Sequence, residues 1–159
     1  LGRRREPRNR MPPQLLDAAR EFGVGLLRVM GEEGHVEATA EGEGVYVVLR
    51  GVRRLPTDAA FRAALSRVAR LYLKSHYGQD VPVVVDINGE LLAHREELAR
   101  KARDAAGQVV MEGRRVELAP MPADDRRVVH MALAGVPGIR TSSVGREPNR
   151  RVVIEPATE

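Results

Sequence analysis

The chain of 159 residues contains no cysteine and no tryptophan. Without thiols there are no disulfides, no thiolate nucleophiles and no cysteine-built zinc sites, and the composition suits a reducing compartment. Aromatic residues make up only 3% of the chain. Tyr46, Phe61, Tyr72 and Tyr77 fall in segments that do not form one strand face. A sheet that holds bases by stacking needs several aromatics side by side, so a polynucleotide contact here must rest on phosphates. Long apolar runs are also missing. Residues 45–49 and 81–85 are far too short to span a bilayer. No charged segment followed by an apolar core opens the sequence, and the cytoplasm is the expected location.

Patterns for catalysis are equally sparse. Ser142 and Ser143 are not framed as a nucleophile elbow would be, and no phosphate-binding G-x-x-x-x-G-K-[ST] loop occurs. His35, His76 and His94 have no metal-ligand spacing and read as surface histidines. The run from His94 to Leu98 lacks the second histidine of a zincin motif. No enzyme, no cofactor and no metal is therefore expected. Lysine is scarce too. Of 26 basic residues only Lys74 and Lys101 are lysine. The net charge is +4 and the pI about 10.1. Arginine suits bidentate phosphate recognition. Codon bias or a heat-adapted surface gives the same composition, so overall charge alone does not decide.

What is present reads as a mixed α+β chain. Residues 1–13 carry Arg3, Arg4, Arg5, Arg8 and Arg10 among three prolines, the pattern of a mobile basic arm. Apolar residues at helical spacing predict a helix over 14–30, with Gly23 and Gly25 against it. Residues 36–40 and 45–49 predict a hairpin about Gly42-Glu43-Gly44. A helix over 57–77 is expected to stop at Gly78. The apolar run 81–87 predicts a central strand buried on both faces. A long helix follows over 90–112, its wet side carrying the i,i+4 pairs Glu96/Arg100 and Glu97/Lys101. A brief strand at 116–118 precedes a short helix that has Pro122 at its first position and Asp124 and Asp125 at its positive end. Strands at 139–144 and 150–154 close the pattern, joined through Gly145-Arg146-Glu147-Pro148-Asn149.

The short helix holds the candidate site. Arg126 and His130 are four residues apart and so share one helical face. An arginine fork beside an imidazole makes a compact donor site for an anion, bidentate from Arg126 and single-donor from His130. Arg127, Ser143, Arg150 and Arg151 extend the patch, while Gly145 reads as a turn requirement. The competing reading is a helix pair that bonds neighbouring backbone, since Val129 and Leu133 share much of that face.

The run Arg126-x-x-x-His130, then Thr141-x-Ser143-x-Gly145 and Arg150-Arg151-Val152-Val153-Ile154, resembles the R3H domain, in the form that follows a KH domain in bacterial Jag (SpoIIIJ-associated) proteins. The upstream order of helix, two strands, glycine loop, helix and strand is similar to a type II KH domain. The resemblance implies an α+β chain with a basic arm at 1–13, a KH-like domain at 14–90, and a long linking helix plus a small R3H domain with an antiparallel sheet at 91–155. KH domains grip backbone phosphates with a G-x-x-G loop, where two glycines let the main chain come close. Here the stretch is Gly51-Val52-Arg53-Arg54, with arginine at the second glycine position. Either the loop acts only by charge, through Arg53 and Arg54, or this half is a scaffold; the second is favoured.

The resemblance further implies a cytoplasmic, backbone-directed binder of single-stranded RNA, linked to cell division and envelope growth, with a small KH-domain protein as partner. Two other readings stay open on the residues alone. One is a protein-interaction adaptor at the membrane insertase or on a small KH partner; the other is binding of single-stranded DNA.

Overall fold

The computed structural model describes residues 11–157; the expected basic arm lies, up to residue 10, outside them. The fold is α+β and divides into two compact units between Leu91 and Leu92.

The N-terminal unit contains α1 (Pro13–Val29), β1 (His35–Glu41), β2 (Gly44–Arg50), α2 (Ala59–Tyr77) and β3 (Val83–Ile87). Pro13 suits the first helical position of α1, where its missing N–H has no partner to lose. Leu15, Ala18, Ala19 and Leu27 face the sheet at helical spacing. Gly23 belongs to that face. A Cβ there would lie 2.6 Å from Val36 Cγ1, so close approach of helix to strand explains a residue that otherwise weakens the helix. Asp58 caps α2 by accepting from the Phe61 N–H at 2.9 Å, and Gly78 ends it with φ 66°. Phe61 and Tyr72 pack against the core and Tyr46 is buried, so these rings form no exposed stacking platform.

The sheet order β1-β2-β3 corrects one expectation. The central strand is β2, buried from Gly44 to Leu49, antiparallel to β1 and parallel to β3. The apolar run at 81–87 supplies β3, which is an edge strand. Its composition misleads because both of its faces are covered without a second strand neighbour. Val83, Val85 and Ile87 enter the core with α1 and α2. On the other face Asp86 is fully buried, accepting from Tyr46 Oη at 2.6 Å and from the Leu91 N–H at 3.0 Å. The Val85 N–H donates to Ser66 Oγ of α2 at 2.9 Å.

The C-terminal unit contains α3 (Glu90–Glu112), β4 (Val116–Glu117), α4 (Ala123–Leu133), β5 (Ile139–Val144) and β6 (Arg151–Pro156), with the first turn of α3 at the boundary between the units. The antiparallel sheet runs β4-β6-β5. Its core joins Ala102, Ala106 and Val109 of α3 to Val129 and Leu133 of α4 and to Val152 and Ile154 of β6. On the wet side of α3, Lys101 pairs with Glu97 as expected, at 3.7 Å. Arg100 pairs with Glu97 at 2.7 Å and Asp104 at 2.9 Å instead of Glu96.

Candidate nucleic-acid interface

Helix α4 starts at Ala123, with Pro122 in the N-cap position and Asp124 and Asp125 in the first turn. Asp125 is committed to His94, 3.0 Å away. The buried residues of the helix are Arg126, Val129 and Leu133, at i, i+3 and i+7. An arginine thus stands at the head of an apolar stripe. Its guanidinium donates from Nη1 to the Met121 carbonyl at 2.8 Å. Its Nη2 meets Glu147 Oε1 at 2.7 Å, and the Arg126 side chain is 10% exposed against 59% for Glu147. A charge this deep needs an acceptor on each side, and the structure supplies both.

One turn on, His130 faces β5. Thr141 and Ser143 stand two apart and therefore on one face of that strand. The Nδ1 of His130 lies 2.8 Å from Thr141 Oγ1 and its Nε2 lies 2.8 Å from Ser143 Oγ. Both ring nitrogens are thereby engaged. A neutral imidazole donates from one ring nitrogen and accepts at the other, so one hydroxyl gives its hydrogen to His130 and the other keeps its own; with Nε2–H as the donor, Ser143 holds its hydrogen for a further partner.

The turn between β5 and β6 completes the corner. Arg150 Nη1 donates to the Gly145 carbonyl at 2.9 Å. Gly145 has φ 85°, and a Cβ there would lie 3.0 Å from Arg151 Nη1 and 3.1 Å from the Asn149 carbonyl. The turn reading of this glycine follows from both facts. Arg151 is itself paired through Nε with Glu117 at 2.7 Å. That hydrogen bond, helped by Arg115, holds the Glu117 carboxyl below the ordinary carboxylate range. Arg127 and Arg146 are exposed, and their guanidinium groups have no hydrogen-bond or ion-pair partner among the described residues.

The structure thus brings Arg126, His130, Ser143, Arg150 and Arg151 into one small unit. Arg126 and His130 were expected as a pair of outward donors. In the structure both ring nitrogens of His130 face hydroxyls, and Arg126 is held by a carbonyl and a carboxylate. Glu147 and Thr141 were missed as site residues. Thr141 was legible in the Thr-x-Ser alternation. Glu147 left no signal, because an acid in a polar turn reads as solvated.

The other candidates belong to the N-terminal unit. Three successive main-chain donors of the loop after β2 are taken. The Val52 N–H donates to Asn88 Oδ1 at 3.0 Å, and Asn88 Nδ2 returns a bond to the Val52 carbonyl at 2.9 Å. The Arg53 and Arg54 N–H groups donate to the two oxygens of Glu32 at 3.2 and 2.6 Å. Gly51, Arg53 and Arg54 are exposed, and the two arginine side chains keep their charge toward water. The main-chain grip expected of a G-x-x-G loop is closed by Glu32. Among the described residues no group of acids and histidines is arranged to hold a metal, and no helix is long and apolar enough to cross a membrane.

Residues 90–156 match the R3H domain. The chain is 35% identical over 91 residues to the RNA-binding protein KhpB of Lactiplantibacillus plantarum, covering 57% of this chain and 28% of that protein. It is 34% identical over 93 residues to the RNA-binding protein KhpB of Bacillus subtilis, covering 57% of this chain and 45% of that protein. The protein of that name from Streptococcus pneumoniae is 32% identical over 92 residues, with 58% and 28% covered. The chain therefore spans less than half the length of these relatives.

Proposed function

From an R3H domain of the Jag type at residues 90–156, we propose that the chain binds single-stranded RNA by its phosphate backbone. The observation that carries this reading is the corner of α4, β5 and the β5–β6 turn. There a guanidinium and an oriented hydroxyl are braced from behind, and Arg127 and Arg146 stand unpaired beside them in the chain. Arg126 supplies the fork and Ser143 one donor. Arg127, Arg150 and Arg151 add charge. His130 contributes by holding Ser143. Scarce aromatics point to modest sequence preference. On this reading the protein works in the cytoplasm as a binder and not as a catalyst, and regulation of cell division or envelope growth is the role that the resemblance suggests.

The N-terminal unit is read as a type II KH-like scaffold. Its element order supports this, and its occupied loop donors favour docking over phosphate binding. A small KH-domain protein is the partner that fits such a scaffold.

The test is a titration of fluorescent oligouridylate with wild type and with Arg126→Ala over a range of salt. The expected result is weaker binding by the variant and a log–log salt slope of about −0.7 per phosphate contact. Salt-independent affinity overturns the backbone mechanism. Competition by matched RNA and DNA oligonucleotides decides which single strand is preferred. Partners that persist after nuclease treatment identify an adaptor instead.

A further inference from the structure

Glu147 occupies the place at Arg126 where an incoming phosphate would sit. We propose that this carboxylate is a tethered stand-in for phosphate, expelled when a polyanion binds, and that it sets the site's selectivity for polyanions over single small anions. The inference rests on the phosphate-binding reading above.

The asymmetry of the pair supports it. The Arg126 side chain is 10% exposed and the Glu147 side chain 59%. The buried partner cannot rehydrate and must keep an acceptor. The exposed partner is mostly in water already, so leaving the guanidinium changes its solvation little. The two acceptors on Arg126 also differ in kind. The Met121 carbonyl is main chain at the mouth of α4, whereas Glu147 reaches in from a surface turn with one oxygen at 2.7 Å. Asp125, the acid one residue before Arg126, is spent on His94 at 3.0 Å. Glu147 is therefore the acid that neutralises this guanidinium.

Displacement has a threshold. A monoanion such as chloride or acetate offers Arg126 no more than Glu147 does and must also overcome the advantage of a tethered competitor. A ligand with several linked phosphates gains Arg127 and Arg146 in addition, both exposed and with guanidinium groups unpaired among the described residues. It also places a second oxygen within reach of the oriented Ser143 hydroxyl.

The experiment compares the full chain, Glu147→Gln, Arg126→Ala and the double variant against fluorescent oligouridylate. The glutamine keeps an acceptor oxygen and removes the charge. Glu147→Gln is expected to bind about two- to fivefold tighter, the range that an exposed ion pair permits. Its salt slope is expected to be more negative by up to about 0.7. In the Arg126→Ala background the gain is expected to vanish. A second readout needs no variant: the carboxyl carbon resonance of Glu147 is expected to move when RNA is added. Equal or weaker binding by Glu147→Gln, with Arg126→Ala still impaired, overturns the stand-in role and leaves RNA binding in place. So does an unmoved Glu147 resonance at saturating RNA. Unimpaired binding by Arg126→Ala overturns the site reading itself, and the stand-in with it.

Discussion

The loop after β2 and the corner at α4 each present donors suited to an anion, and each ends on a carboxylate of the same chain. In the loop the donors are two neutral N–H groups, and Glu32 reaches them from 21 and 22 residues upstream. In the corner the donor is a guanidinium, held by Glu147 at 2.7 Å. The same kind of bond serves opposite ends. Glu32 ties the α1–β1 connection to a loop already clamped by Asn88, so its removal would undo architecture. Glu147 meets a charge that outlasts the loss of its partner. On the proposed reading, an anion site survives where the donor is charged and buried and the occupant is exposed, and is consumed where neutral main chain closes on an internal acid.

The largest test of this contrast is Arg126→Ala. Loss of a charge-assisted fork is worth about 1.5–3 kcal/mol, so RNA affinity is expected to fall roughly tenfold or more. Because Arg126 is buried and bonded to Met121, the thermal midpoint is expected to fall with it, unlike that of a surface substitution. Titration and calorimetry check the two together. Next is His130→Ala, which deprives Thr141 and Ser143 of their shared partner. Affinity is expected to drop about three- to fivefold, about 0.7–1 kcal/mol, with the wild-type salt slope. A shallower slope in the same titrations makes His130 a direct phosphate contact.

Glu32→Ala probes the other side of the contrast. It is expected to cost about 1–2 kcal/mol of folding stability and to leave RNA affinity unchanged. Tighter RNA binding by this variant would erase the distinction between the two sites. The paired change Arg53→Ala with Arg54→Ala is expected to lower affinity less than about twofold at 0.15 M salt and more at low salt, since both side chains act through screened charge.

The smallest effect concerns pH. Hydrogen bonding from Arg50 holds Glu37 below the ordinary carboxylate value near the loop, as Arg151 does for Glu117 near the corner. A lowered carboxyl contributes stability above its unfolded value of about 4.3 and loses it as pH falls through the lower folded one. The contribution of these two carboxylates, read from melting curves of wild type against Glu37→Gln and Glu117→Gln, is therefore expected to be constant from neutral pH to about 5 and to decline only in stronger acid.

Much of this was legible in the residues. Apolar spacing and turn residues indicated α1 to α4, Gly78 ended α2, and the motif from Arg126 to Ile154 carried the R3H likeness. The place of β3 was hidden, because apolar composition reports coverage and not strand order. A helix on one face and a sealed Asp86 on the other imitate a central strand. The partners of the donors were hidden for a related reason. Glu32 and Glu147 are charges in connecting segments, and only folding sets them against the groups they satisfy.

One hydroxyl on α2 also bears on how this molecule keeps to itself. Ser66 Oγ gives its hydrogen to the Arg62 carbonyl at 2.8 Å while taking that of the Val85 amide. An open rung at the rim of a pleated sheet invites a foreign segment to zip on, the first step toward swapped dimers and fibrils. Occupying that rung from within ends the ladder at three strands, so crowded chains find one fewer place to begin pairing.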